Sequence, residues 1–228
     1  MGIANPLYRQ ITDFVQNLPQ GRIESTITIG RQSIKIDASY FERRLGVNLC
    51  SVHSDYCEPY FELLGLSIDS IDYSSFEGAT YTANFCTNNY SRFAELKILG
   101  KYDLVLDSGS SEHMISPIIS IWNQYLLCKD GGFIYLHLPV SGWQNHGLYR
   151  FIPTFFTSIQ GNYLRLVHYD FAEQLPNSPP ESFFRYSETQ RLPEELQMMS
   201  HVIYQKLPGM DFESFCEGTL QDIYKQLK

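Results

Sequence analysis

Tyr102-Asp-Leu-Val-Leu-Asp107, running on into Ser108-Gly-Ser-Ser-Glu-His113, decides how the chain is read. A short apolar run bounded by polar turns fits a strand buried on both faces, as in a parallel sheet covered by helices. Its carboxyl end carries a carboxylate, small residues, then an acid and an imidazole. On an open α/β sheet that is the edge where ligands bind.

Working outward, similar strands alternate with helices. Pro6 to Leu18 carries Leu7, Ile11, Phe14, Val15 and Leu18 on one stripe, which predicts an opening helix stopped by Pro19-Gln-Gly21. Ser25 to Gly30 is a short β-branched strand ending in glycine, and Ser67 to Asp72 a second strand ending in a carboxylate. Helical segments at Tyr40 to Leu45 and Tyr56 to Leu64 lie between them. Ala79 to Phe85 is expected to be a third strand, Pro117 to Leu127 a helix, and Lys129-Asp-Gly-Gly132 a turn. Gly132 to Leu138 and Tyr163 to Tyr169 read as further strands, with a short helix at Pro153 to Ser158 between them. Beyond Pro176 the tail is expected to be helical, with amphipathic stretches at Glu194 to Lys206 and Asp211 to Leu227. Phe212, Phe215, Ile223 and Tyr224 are expected to pack on the core. The alternation implies an α/β fold: a doubly wound, mainly parallel sheet with helices on both faces. The expected organisation is a single domain over 1–228, with an N-terminal helix at 6–18 and a C-terminal helical extension over about 177–228.

Composition narrows the function. Of 228 residues 43% are hydrophobic and 14% aromatic, whereas 18% are charged, which excludes a disordered chain. Seventeen basic against 25 acidic residues give a net charge of -8, so the dense basic footprint of a nucleic-acid binder is missing. The cysteines, Cys50, Cys57, Cys86, Cys128 and Cys216, are odd in number and show no CxxC spacing. That pattern fits reduced thiols in a cytoplasmic protein. The amino terminus has no apolar signal core, and no uncharged apolar run approaches the length of about 18 residues that spans a bilayer. No nucleic-acid or membrane partner is expected. The chain has neither the GxxxxGK[ST] loop of an NTPase nor the GxGxxG of a dinucleotide enzyme.

Several segments resemble a known family. Asp72-Tyr-Ser-Ser-Phe-Glu-Gly-Ala-Thr80, the run Tyr102 to His113, Lys129-Asp-Gly-Gly132 and Asn145-His-Gly-Leu-Tyr-Arg-Phe-Ile-Pro153 look like successive motifs of class I S-adenosylmethionine-dependent methyltransferases. More narrowly they resemble a bacterial subgroup with "iDxSxYEGA", "FDlVidgGTlEH" and "NHGFYqFsP" motifs. The resemblance implies a Rossmann-like methyltransferase fold, S-adenosyl-L-methionine as cofactor and a methyl transfer. It also implies roles for particular residues. Gly30, with Arg31 beside it, would lie under the methionine part of the cofactor, and Asp72 would hold the ribose hydroxyls. Tyr73 and Ser74 would flank the adenosine. Asn84 stands where an acid is expected to contact the adenine amino group, and its carbonyl can accept the same hydrogen bond. Asp107, Ser108 and Gly109 would form the lip where sulfonium and acceptor meet. Glu112, His113 and His146 would face the acceptor, with the histidines as candidate bases. Trp143, Tyr149 and Arg150 are candidates for orienting it. His137 is expected to be packed or paired within its strand.

Asp107, Glu112 and His146 have no metal-ligand signature in their spacing, and no metal is expected. The lack of an added recognition domain favours a small-molecule acceptor: a sugar, a nucleotide-sugar or a natural-product intermediate. A binding or scaffolding protein on the same fold is the alternative, and homodimerisation is left open.

Overall fold

The computed structural model describes residues 2–161, 163–173, 185–186, 194–209 and 211–215. In chain order the elements are β1 (Ile3–Ala4), α1 (Asn5–Gln16), β2 (Ser25–Ile29), β3 (Ile34–Lys35), α2 (Ala38–Leu45), α3 (Glu58–Glu62), β4 (Ser67–Asp72), β5 (Tyr81–Thr82) and α4 (Tyr90–Glu95). They continue with β6 (Tyr102–Ser108), α5 (Pro117–Leu127), β7 (Cys128–His137), β8 (Pro139–Ser141), α6 (Pro153–Ser158), β9 (Leu164–Glu173), β10 (Arg185–Tyr186) and β11 (Met198–Lys206).

The main sheet runs β10-β9-β11-β7-β6-β2-β4-β5, with β8 also paired to β11. β5, β4, β2, β6 and β7 are mutually parallel. β11 lies antiparallel between β7 and β9, and β10 is antiparallel to β9. The fold is therefore α/β with a mixed sheet. From β2 the chain moves outward through β4 to β5, then returns to the other side of β2 for β6 and β7. The order thus reverses between β2 and β6, and a crevice opens beyond the carboxyl ends of these two neighbours.

Residue chemistry explains the layering. Every residue of β6 is buried. Its Leu104 and Leu106 pack on the face that carries Leu7, Ile11, Phe41 and Phe61, whereas Val105 packs with Ile121, Leu127 and Phe156 on the other. β7 repeats the alternation, with Phe133 and Tyr135 on the first face and Ile134 and Leu136 on the second. A strand buried on both faces needs no polar alternation, which is why this run was legible as a central strand. Helix ends follow local chemistry. Asp37 caps α2 by accepting the Tyr40 N–H at 2.9 Å, and Ser116 with Pro117 opens α5.

Three expectations are corrected. The segment from Glu194 to Lys206 is not an amphipathic helix: Met198–Lys206 is the strand β11, nearly every residue of it buried. Its Met-Met-Ser-His-Val-Ile-Tyr run packs on both sheet faces, so the period that counts is two. Lys129-Asp-Gly-Gly132 is not a free turn but lies within β7, whose pairing with β6 slips between Tyr102 and Leu104. The third strand is short, Tyr81–Thr82, because Ala83 to Cys86 leave the sheet to line the crevice. Of the stretch from Asp211 to Leu227, helical backbone is present over 212–215, with Phe215 buried against Trp122; Ile223 and Tyr224 lie outside the described residues, as does Cys216. Cys57 and Cys128 are buried free thiols, whereas Cys50 is exposed. Among the described residues no helix is long and apolar enough to cross a membrane.

Candidate active site

The register of the central strands puts three strand ends at one level: Ile29 pairs with Ile71 on one side and with Asp107 on the other. Just beyond them lies a cleft of about 320 Å³. Ile29, Ile71, Ala83, Phe85 and Met114 give it apolar walls, and Gly30, Asp72, Tyr73, Asn84, Gly109, Ser110 and His113 also line it.

Gly30 makes this approach possible. It takes φ +74°, and a Cβ there would lie 3.0 Å from Ser110 Oγ and 3.7 Å from an Asp72 oxygen. A side chain would both strain the backbone and crowd the two groups that flank the cleft. Ser110 donates to Ile29 O at 2.6 Å and Gln32 Nε2 to the same carbonyl at 2.8 Å, so the end of β2 is tied to the loop after β6. Asp72 accepts the Arg31 N–H at 3.1 Å and the Ser74 N–H at 3.4 Å, which fixes its carboxylate at the cleft wall. Tyr73 is 77% exposed, and its neighbour Ser74 is exposed too. Asn84 Oδ1 takes the Cys86 N–H at 2.9 Å, holding the loop after β5 in place.

Arg31, Asp107 and Ser108 are placed differently from expectation. The Arg31 guanidinium pairs with Glu58 at 2.9 Å and covers the Tyr56 ring at 3.9 Å, and it is the Arg31 backbone N–H that Asp72 accepts. Asp107 and Ser108 are fully buried and do not line the cleft. The Asp107 carboxylate accepts from the Ser111 hydroxyl, from Gln124 Nε2 at 2.8 Å and from the Ser110 N–H at 2.9 Å. Burial pushes its pKa up, against the opposing pull of the Ser111, Ser110 and Gln124 hydrogen bonds. Of the expected lip, only Gly109 reaches the cleft. Ser110, which lines the cleft, and Gln32, which shares the Ile29 carbonyl with it, were missed by the sequence reading. The signal was present in the Gly-Arg-Gln and Gly-Ser-Ser runs, but not which side chain turns inward.

Beside His113 stands a second group. Glu112 is fully buried, and neither carboxylate oxygen has a hydrogen-bond partner. His113 Nε2 lies 3.6 Å and His146 Nε2 3.8 Å from Glu112 Oε1, and the imidazole centroids are 5.1 Å apart. Burial, and then the neighbouring Asp107, push the Glu112 carboxyl up to about 8. Burial and the adjacent His146 push the His113 imidazole down. His146 Nε2 is likewise buried without a hydrogen-bond partner.

The loop after β8 brings His146 there. The Leu148 and Tyr149 N–H groups both donate to Glu112 O, at 2.7 and 3.1 Å. Trp143 Nε1 donates to Met198 O at 3.1 Å and its ring lies 5.2 Å from that of His146. Tyr149 donates its hydroxyl to Ile115 O at 2.7 Å, and Arg150 is exposed. His137 is buried with Nδ1 2.9 Å from Ser200 O, paired within the sheet.

No protein-family model and no curated protein sequence matches the chain. Solved structures do resemble it. The CurJ carbon methyltransferase matches at 11% identity and a TM-score of 0.49, over 90% of this chain and 54% of that one, so the chain spans about half of its length. TehB from Haemophilus influenzae matches at 11% identity and 0.49, over 87% and 62%. The 1,6-didemethyltoxoflavin-N1-methyltransferase of Burkholderia thailandensis, solved with bound 1,6-didemethyltoxoflavin and S-adenosylhomocysteine, matches at 12% identity and 0.44, over 88% and 84%.

Proposed function

We propose that the chain is one methyltransferase-like domain that transfers a methyl group from S-adenosylmethionine to a small-molecule acceptor. The observation that carries this reading is a convergence. Gly30, Asp72, Asn84 and Gly109, drawn from four strand ends, line one cleft, and the Glu112-His113 and Asn145-His146-Gly147 segments meet at its edge.

The residues fit a nucleoside-type ligand. Asp72, Tyr73 and Asn84 all line the cleft; Asp72 offers a carboxylate to ribose hydroxyls, and the Asn84 carbonyl and Tyr73 ring offer an adenine an acceptor and a stacking face. Ser74 would border the adenosine, and Gly30 and Gly109 let the backbone approach closely. When bound, S-adenosylmethionine supplies an electrophilic methyl group. Ile29, Ile71, Ala83, Phe85 and Met114 give it apolar surroundings. Because in-line displacement depends on alignment, most of the work left to the protein is positioning the acceptor. Trp143, Tyr149 and Arg150 are assigned to that task, and Glu112, His113 and His146 to holding the reacting group as its proton leaves. Arg31 contributes through its backbone. Asp107 holds the loop that carries Gly109 and Ser110 by accepting the Ser110 N–H.

Calorimetric titration with S-adenosylhomocysteine tests the reading. Binding in the micromolar range is expected, weakened at least tenfold in Asp72→Ala, since a hydrogen bond to a charged group contributes about 1.5–3 kcal/mol. Unchanged binding in that variant removes the ribose assignment. No binding by the wild-type chain at millimolar ligand leaves a fold reused for binding or scaffolding.

A further inference from the structure

We propose that Glu112, His113 and His146 form a binding site for a first-row divalent transition-metal cation at the edge of the cleft. Three donor atoms, one from each residue, lie within 4.8 Å of one another. Cations such as zinc hold nitrogen and oxygen donors at about 2.1 Å, so two ligands on one tetrahedral ion stand about 3.4 Å apart. The separations of 3.6 and 3.8 Å between Glu112 Oε1 and the two imidazole nitrogens are already close to that spacing. They are too long for hydrogen bonds.

The second observation is what the cluster lacks. Both Glu112 oxygens and His146 Nε2 are buried without a hydrogen-bond partner, although a buried carboxylate is costly unless something compensates it. A cation between these atoms satisfies Glu112 and both imidazoles at once. Two imidazoles and one carboxylate select zinc, iron(II), cobalt(II) or manganese over magnesium or calcium, which prefer all-oxygen sites. His113, with 47% of its side chain exposed, leaves a path for the ion and for further ligands. Because His113 also lines the cleft, an ion held here would stand at its edge, and its role would be to take an acceptor oxygen as a further ligand. That role rests on the methyltransferase reading; the binding of the cation does not.

Metal-stripped protein is titrated with cobalt(II) and followed by visible absorption, with zinc(II) as competitor. One equivalent is expected to bind with d–d bands and no thiolate charge-transfer band, and zinc(II) to displace it. His113→Ala and His146→Ala should each weaken binding by more than about 100-fold, beyond what loss of a mere supporting residue does. Cys50→Ser and Cys86→Ser should leave it unchanged. His113 is half exposed, so its alanine variant keeps the fold, checked by circular dichroism. Absent binding, binding indifferent to His113→Ala, or a thiolate band lost in the cysteine variants overturns the site. A separate titration of the same protein with S-adenosylhomocysteine keeps the two readings apart. Nucleoside binding without cobalt removes the metal site alone, and cobalt binding without nucleoside removes only the methyltransferase reading.

Discussion

Gly147 lies against Glu112 so closely that a Cβ at Gly147 would stand 2.8 Å from Glu112 Cγ and 3.1 Å from Glu112 O. Its φ of +71° is one that side chains rarely adopt. With Leu148 and Tyr149 hydrogen-bonded to the same carbonyl, the loop that carries His146 is seated on the turn that carries His113. Two motifs some thirty residues apart are one physical unit.

Gly147→Ala should therefore cost about 1–3 kcal/mol, through backbone strain and the displaced Glu112 side chain. Denaturant unfolding measures the loss. Trp143 fluorescence should change with it, because its ring neighbours His146. A variant as stable as the wild type shows that the loop does not depend on this contact.

Asp107→Ala should destabilise the fold by about 3 kcal/mol, since it strips the partner from Gln124 and Ser111 inside the core. Asp72→Ala, at the partly exposed cleft wall, should leave the melting temperature nearly unchanged. Comparing the two melting curves separates the carboxylate that supports the cleft from the one that lines it. Equal losses contradict that division.

Asn84→Asp should tighten S-adenosylhomocysteine binding several-fold. The aspartate retains the hydrogen bond from the Cys86 N–H and adds a charge to the acceptor that the proposed reading assigns to an adenine amino group. Calorimetry reads the change, and weaker binding places the adenine elsewhere.

Asp103 sets an acid limit on stability. Burial acts against its charged form, but Lys129 at 2.8 Å, the Ser25 hydroxyl and the Ser25 and Glu24 N–H groups outweigh it and hold the carboxyl below its ordinary value. With the folded pKa depressed, the unfolded chain binds more protons on acidification, so this stability is present above the unfolded value of about 3.9 and is lost as pH falls through the folded one. Asp103→Asn should lower the melting temperature at pH 7 and narrow the gap from wild type below pH 4. A gap that stays constant with pH refutes the assignment.

Much of the fold was legible because its signals are local. Tyr102 to Asp107 is apolar enough to be a central strand in any arrangement, Ser67 to Asp72 was read to its ends, and Pro117 to Leu127 carries its own cap. Met198 to Lys206 misled because a segment buried on both faces has no solvent side to reveal its period. Periodicity reports a water-facing side, and β11 has almost none.

The candidate site divides along the same line. The sequence by itself determined which strands end in glycine or a carboxylate, and so that Gly30, Asp72 and Gly109 would reach one rim, because a parallel sheet puts all carboxyl ends on one side. It also set the chemistry carried by Glu112, His113 and His146. Only the tertiary structure decided which of these groups turn into the cleft. Asp107 was drawn into the core by Ser111 and Gln124, and Arg31 was taken by Glu58 and Tyr56. Two histidines met one unpaired carboxylate there. Side-chain direction depends on neighbours distant in the chain, and no local pattern encodes which of them arrives.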